Sequence, residues 1–422
     1  MLFYGLLLLI FLQIVRPQDF VPGIQGARLV LYLMTILLIA LLFSPVKKKL
    51  IRSPQDKFAG MFFIAIILAT LTLFYIPNVI DTFIYVVKIG SIYYFIAIVV
   101  DSEVKFERAV WTMTIFMGIV GLLGVLHYHG FNIPCYHMEW AEDRQAWRLQ
   151  GAGMLSSAND IAYSMVLVVP FALGLLIQAK SFTGRIGAII LLIISLYTIY
   201  LTRSRGGQVA LTVGLFTWAY FWIKSRKRRR QIVIIAAFGL LAVISAKATG
   251  YREDESAMGR VDAWAAGWEM LKSHPIIGVG KDQFIEHYKI DSHNSYVRAG
   301  AELGLIGLYA FVGMIYSVYS VILRIMNSPE NERWRPYFAG FGGFFISYVL
   351  ASGFSTRTYD NVFLMCVALV GVLGRFSLRN SGEVSAEGVL FPSETARLWD
   401  KNVFGLTIAV LIAWYLFLRQ VY

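Results

Sequence analysis

Apolar residues gather in runs of about 16 to 20, parted by short polar segments, along almost the whole chain. A helix rises 1.5 Å per residue, so each run is long enough, or nearly so, to cross a hydrocarbon core of ~30 Å. Backbone groups in lipid must be paired within their own segment, which makes these runs helices. Thirteen candidate spans follow, at 1–15, 27–45, 58–76, 82–100, 109–127, 159–178, 186–201, 207–223, 231–247, 296–325, 337–352, 361–376 and 403–419. The expected fold class is all-α: a polytopic transmembrane helix bundle of about 12–13 spans, forming a single integral membrane domain over 1–422 with no internal repeat. The first run lacks a basic leader and a small-residue cleavage site, so it reads as a retained helix. Pro170, inside one run, is expected to kink it.

The polar segments give the direction. "PVKKKLIRSPQDK", "KSRKRRRQ" and "RIMNSPENERWRP" are basic and are expected in the cytoplasm, with the N-terminus inside and the C-terminus outside. Two outer segments are much longer than the others, a first outer loop at 128–158 and a large helical loop at 248–295. Composition agrees with this layout, with 58% hydrophobic and only 15% charged residues. The formal net charge of +12 is expected to gather on the inner side. It then reports topology and attraction to anionic membrane lipids, and gives no reason to invoke nucleic acid. Cys135 and Cys366 show no disulfide framework.

All six histidines fall on the expected outer side or at its boundary. Arg203 and Arg205, in "YLTRSRGGQVAL", sit there too, between two apolar runs. Arginine at mid-membrane costs about 2.5–3.5 kcal/mol on insertion scales, which invites a functional reading over simple snorkelling to headgroups. In "GRVDAWAAGWEMLKSHPIIGVGKDQF", Val261, Trp264, Trp268 and Leu271 form one helical stripe ending before Pro275, expected to lie against the bundle. Gly278 and Gly280 then supply a tight turn. In "KIDSHNSYVRAGAELGLIGLYAF", Asp291 or Ser292 is expected to cap a helix that carries His293 at its mouth and runs inward through Gly304 and Gly307. Arg298, four residues before Glu302, fits a local ion pair as well as a ligand contact.

Other constellations have plainer readings. "HYHGFNIPCYHMEW" matches no standard zinc spacing, and "REDES" at 252–256 reads as a solvated acidic stretch. "DSE" at 101–103 falls on the expected cytoplasmic side, which disfavours a nucleotide-sugar transferase. Trp140, Trp147, Trp264 and Trp268 suit interfacial anchoring or packing better than sugar stacking.

Three pieces, "SRGG" at 204–207, "GRVDAWAAGWEMLKSHPIIGVGKDQF" at 259–284 and "SHNSYVRAGAELGLIG" at 292–307, with a looser fourth, "SSANDIAYSM" at 156–165, resemble the bacterial O-antigen ligase and O-antigen polymerase superfamily. The resemblance covers about 150–375. It implies a lipid-sugar-dependent glycosyltransferase in the inner (cytoplasmic) membrane, acting on the periplasmic face. The implied donor is a glycan on undecaprenyl-pyrophosphate. The implied acceptor is lipid A-core for a ligase, or a second lipid-linked glycan for a polymerase. By position, Arg205 and Arg260 would contact the donor pyrophosphate, with Arg203 and Arg298 as further candidates, and His293 would be the catalytic base. Physical chemistry supports these types: a planar guanidinium meets phosphate with two parallel charge-assisted bonds, and imidazole is a base near neutral pH. A direct displacement inverts the anomeric centre, and the scheme requires no metal or cofactor. A lipid-glycan flippase is the competing class. It should carry polar residues through to the inner halves of the spans, which here hold almost no strong charge, Lys88 lying near the outer half of its span.

Overall fold

The computed structural model describes residues 1–45, 49–73, 76–141, 145–151, 157–235, 255–327, 329–397 and 399–421. Most of the expected span at 231–247, and the side chains of the acidic stretch at 252–256, lie outside the described residues. In chain order the helices are α1 (Leu2–Ile14), α2 (Leu29–Leu42), α3 (Pro54–Leu71), α4 (Ile76–Val99), α5 (Glu103–Tyr128), α6 (Ala158–Gln178), α7 (Phe182–Leu201) and α8 (Arg205–Trp222). Then come α9 over residues 226–235, α10 (Glu255–Ser273), the short α11 (Phe284–His287), α12 (Ser295–Asn327), α13 (Arg335–Ser352), α14 (Asn361–Ser377), the short α15 (Pro392–Ala396) and α16 (Lys401–Val421). The chain is an all-α polytopic membrane protein. Among the described residues eight helices, α1, α3 to α7, α12 and α16, are long and apolar enough to cross a membrane. Helices also occupy the expected spans at α2, α8, α13 and α14, of which α2 and α14 are apolar but shorter. α6 continues through Pro170.

Contacts divide the chain into two compact units. The first holds Met1–Lys47, Val99–Ala236 and Ile322–Ala351. Small residues let its helices close: Cβ atoms on Gly118 and Gly121 of α5 would overlap Leu191 of α7 and Met165 of α6. The segment between α5 and α6 was not expected to contain strands, yet β1 (Tyr136–Ala141) and β2 (Ala146–Gly151) pair antiparallel as a hairpin. Alternate residues explain it. Tyr136 and Leu149 are buried on one face with Ile161 and Leu201, and the Tyr136 hydroxyl donates to the Val120 carbonyl at 2.7 Å. The signal was short and interrupted, so a helical pattern around it masked the period of two.

The second unit holds Lys48–Ile98, Ala237–Val321 and Ser352–Tyr422. Its centre is aromatic, with Phe58, Phe62, Phe311 and Phe363 fully buried. The expected continuous helix from Ser295 is broken at Gly304, where φ is +65° and ψ −164°. A helix interruption strands carbonyls and amides that apolar surroundings cannot satisfy. The segment after α10 satisfies them here: Val279 and Gly280 N–H donate to the Ala301 and Glu302 carbonyls at 3.0 Å each, and Leu305 and Ile306 N–H donate to the Pro275 and Ile276 carbonyls at 2.8 and 3.3 Å. The two backbones approach so closely that a Cβ on Gly278 or Gly304 would overlap the opposing chain. Sequence reading saw the glycines as a turn and a helix interior. Their shared purpose is this crossing.

Candidate active site

In the first unit the chain turns between α7 and α8 in three residues. Thr202 closes α7 by donating its hydroxyl to the Ile199 carbonyl at 2.7 Å, Arg203 takes a left-handed φ of +52°, and Ser204 caps α8 by accepting the Gly207 N–H at 3.0 Å. The Ser204 hydroxyl also donates to Asn159 Oδ1 at 2.6 Å. Asn159 lies in the first turn of α6, whose start is a capping box between Ser157 and Asp160. The pieces at 156–165 and 204–207, far apart in sequence, are therefore one local structure. Its glycines are required by space: Cβ atoms on Gly206 and Gly207 would overlap Tyr163 and Ala162.

This turn concentrates cations where a helix disfavours them. Arg205 is the first residue of α8 and is exposed, and the first turn of that helix contains no acid. The N-terminal end of a helix carries roughly +0.5 charge, so a cation there is unfavourable by about 0.3–1 kcal/mol. Arg203 lies half-buried with its guanidinium 4.2 Å from the Tyr200 ring. Among the described residues Arg203 has no ion pair, and its buried Nε has no hydrogen-bond partner. Tyr200 stacks on Tyr197 at 6.3 Å, and Tyr197 in turn stacks on His129 at 5.9 Å and bonds its Nε2 at 2.9 Å. No motif marked this ladder; only its spacing of three along α7 could have suggested it.

In the second unit α10 packs its expected stripe on α16: Trp268 meets Trp414 at 5.1 Å and Trp264 meets Phe417 at 5.1 Å. Trp264 Nε1 donates to the Ser292 carbonyl at 2.8 Å, fixing the residue before His293. Arg260 stands one helical turn before Trp264 on the same helix, and a Cβ on neighbouring Gly259 would come into van der Waals contact with Ile290. His293 is exposed, with a left-handed φ of +46°, and immediately precedes the cap of α12. That cap is Asn294, not Asp291 or Ser292: its Oδ1 accepts the Tyr296 and Val297 N–H groups at 3.0 and 3.2 Å. Asp291 is drawn elsewhere by a stronger partner.

The partner is Arg298, which gathers three carboxylates. Its Nη2 reaches Asp282 at 2.9 Å, its Nη1 reaches Asp291 at 3.3 Å and its Nε reaches the fully buried Glu302 at 3.1 Å. Glu302 also accepts the Tyr359 hydroxyl at 2.6 Å and the Phe284 N–H at 3.2 Å. Burial first, and then the Glu302 charge, hold the Tyr359 phenol well above its usual range, so it remains a donor. The segment 355–360 is stitched to the start of α12 as well: Ser295 Oγ accepts the Arg357 N–H at 2.7 Å, and Thr358 Oγ1 donates to the Ser295 carbonyl at 3.0 Å. Arg357 itself pairs with Asp360 at 2.7 Å. The spacing of four had offered Glu302 as a partner of Arg298, and that pair forms; Asp282 and Tyr359 carried no such signal, because they lie about 75 residues of chain apart.

The structure thus places Arg203 and Arg205 in one turn of the first unit, and Arg260, His293 and Arg298 around one loop of the second. The other histidines have local partners. His127 Nδ1 accepts the Ile133 N–H, His137 meets Gln150, His274 meets Ser273 and His287 meets the Gln283 carbonyl. Among the described residues, no three His, Cys, Asp or Glu side chains group as metal ligands would.

These features define a class: a multi-pass helical membrane protein that presents a histidine and arginines at the entrances of two capped helices. Residues 190–312, which contain the arginine turn, α10 and the His293 loop, match the family described as O-antigen ligase. The chain is also 22% identical over 261 residues to the exopolysaccharide production protein ExoQ of Rhizobium meliloti (strain 1021), an alignment covering 53% of this chain and 58% of that protein. It thus spans little more than half the length of this curated relative.

Proposed function

We propose that the protein is a glycosyltransferase of the O-antigen ligase type, moving a glycan from undecaprenyl-pyrophosphate to lipid A-core on the periplasmic face of the inner membrane, with inversion and without a metal. One observation carries this reading most: within the family-matched segment, His293 is held exposed in a costly backbone conformation, with Trp264 and Arg298 tying down the two residues before it, Ser292 and Asp291, and the Asn294 cap following it. Left-handed non-glycine residues cost of order 1–3 kcal/mol and persist where the surroundings over-determine them. His293 takes the proton of the acceptor hydroxyl as it attacks the anomeric carbon. Arg203 and Arg205 bind the donor pyrophosphate, whose charge compensates two cations at a helix N-terminus, and Arg260 is a further phosphate contact. Arg298 is already engaged by three carboxylates, so its part is to position the His293 loop.

Transfer by the purified protein in lipid nanodiscs, from an undecaprenyl-pyrophosphate-linked glycan, tests this. His293→Ala should abolish product and leave donor binding largely intact; full transfer by that variant removes the mechanism. The name of the exopolysaccharide relative favours a second reading, a polymerase that joins lipid-linked repeat units. Growth of carrier-linked repeats in the absence of lipid A-core would select it.

A further inference from the structure

We propose that the first unit holds a binding site for the phosphate headgroup of an anionic membrane lipid, in a cleft formed by the ends of α6, α8 and α13. The cleft has a volume of about 840 Å³. Five cations line it, Lys180, Lys224, Arg228, Arg333 and Arg335, against one carboxylate, Glu332. The two basic segments that contribute most of these residues are separated by about a hundred positions in sequence, and folding brings them to one opening.

The cations divide into two groups. Glu332 is shared by Lys224 at 2.6 Å and Arg335 at 2.5 Å, while Arg335 also donates to the Trp222 carbonyl at 2.6 Å, closing the C-terminal end of α8. Arg333 reaches Glu103 at 2.5 Å. These three are occupied in holding the cleft's walls. Lys180 and Arg228 are exposed, line the same opening, and have no carboxylate partner among the described residues. An anion is the ligand this leaves room for.

The headgroup of a lipid fits better than a free anion because of where the cleft opens. Its walls are helix ends, at Gln178 of the membrane-length apolar α6, Trp222 of α8 and Arg335 of α13. Trp218 and Trp222 stack at 5.2 Å with nearly parallel rings, and Ile223 and Pro336 add apolar lining. Aromatic rings at helix ends belong at headgroup depth, and basic juxtamembrane residues there attract anionic lipid by about a factor of five per cation. A phosphodiester held by Lys180 and Arg228, with its acyl chains along α6 and α8, satisfies both linings.

The test is lipid retention by the full-length protein in nanodiscs of mixed phosphatidylglycerol and phosphatidylcholine, read by native mass spectrometry. The wild-type protein should retain phosphatidylglycerol preferentially. K180A/R228A should lower that preference by roughly 25-fold, two cations at about fivefold each. R226A/K227A removes equal charge from the same basic segment at residues that do not line the cleft, and should lower it much less. Equal losses in the two double variants would reduce the effect to bulk charge and overturn the site. Displacement of phosphatidylglycerol by equimolar glycerol 1-phosphate would overturn the lipid assignment, because it would make the headgroup alone the ligand. Neither double variant touches the proposed transfer chemistry, so this result and the fate of His293→Ala are read separately.

Discussion

Two helix entrances in this molecule are built alike and charged differently. At α8 the order is Arg203 in a left-handed conformation, Ser204 as cap and Arg205 as first helical residue; at α12 it is His293 left-handed, Asn294 as cap and Ser295 first. In both, a short polar cap follows a residue in the left-handed conformation. Around α12 the protein neutralises its own charge, since Arg298 is met by Asp282, Asp291 and Glu302. Around α8 the Arg203 Nε is buried and unmatched among the described residues. The difference is that the guanidinium beside one entrance is met by three carboxylates, whereas Arg203 at the other has no ion pair among the described residues; under the proposed function the first would support the base and Arg203 would meet an anion.

The largest expected effect is on chemistry at the α12 entrance. His293→Ala should reduce transfer at least about 10²–10⁴-fold, the usual contribution of a general base and enough to abolish detectable product, with donor affinity largely intact in an equilibrium binding assay. Next is the carboxylate knot. Arg298→Ala leaves Glu302 buried and unpaired and should destabilise the second unit by about 3–5 kcal/mol, read as a fall in denaturation midpoint. Arg298→Lys should restore only part, because a point charge cannot replace a guanidinium that spans three acids; full recovery would mean that the geometry does not matter. At the α8 entrance, Arg203→Ala should weaken donor binding roughly 10–100-fold, corresponding to a charged hydrogen bond of about 1.5–3 kcal/mol, with little change in stability. An Arg203→Ala variant that unfolds instead would erase the contrast between the two turns.

Smaller effects sharpen the same comparison. Ser204→Ala removes the cap and the Asn159 bond and should cost about 1 kcal/mol, measurable by thermal unfolding. The exposed pair at Glu332 is the weakest case. The hydrogen bond from Lys224, with Arg335 beside it, holds the Glu332 carboxyl below its usual range. A folded-state pKa that is depressed gives stability above the unfolded value of about 4.3 and loses it as pH falls through the folded value. Glu332→Gln should therefore remove this small contribution near neutrality, where it is fully present, make no difference well below the folded value, and so flatten the profile on the acid side. A pH titration of unfolding that shows the reverse slope would assign the pair the wrong sign.

Much of this was legible along the chain. The apolar runs predicted nearly every helix, since length and composition alone decide which segments lipid can accommodate. The tryptophan stripe of α10 gave both its helix and its packing on the bundle, because a period near 3.6 forces one face together. The weak motifs at 156–165 and 204–207 gained meaning only as partners, when Ser204 met Asn159 and the glycines met Tyr163 and Ala162. The β-hairpin escaped notice because two six-residue strands offer too few alternations beside long helices.

Sequence by itself determined what local chemistry determines: helices in lipid, basic loops, glycines wherever chains must cross, and residue types able to bind phosphate or accept a proton. Tertiary structure decided what depends on contacts between distant segments. It broke α12 at Gly304 and mended the break with residues 275–280, placed the cap at Asn294 instead of Asp291 or Ser292, and joined Asp282 and Asp291 to the Arg298–Glu302 pair that the spacing of four had offered. The physical reason is that a charge or a backbone group takes the best partner within a few ångströms, and which partners come that close is fixed only once the chain has folded.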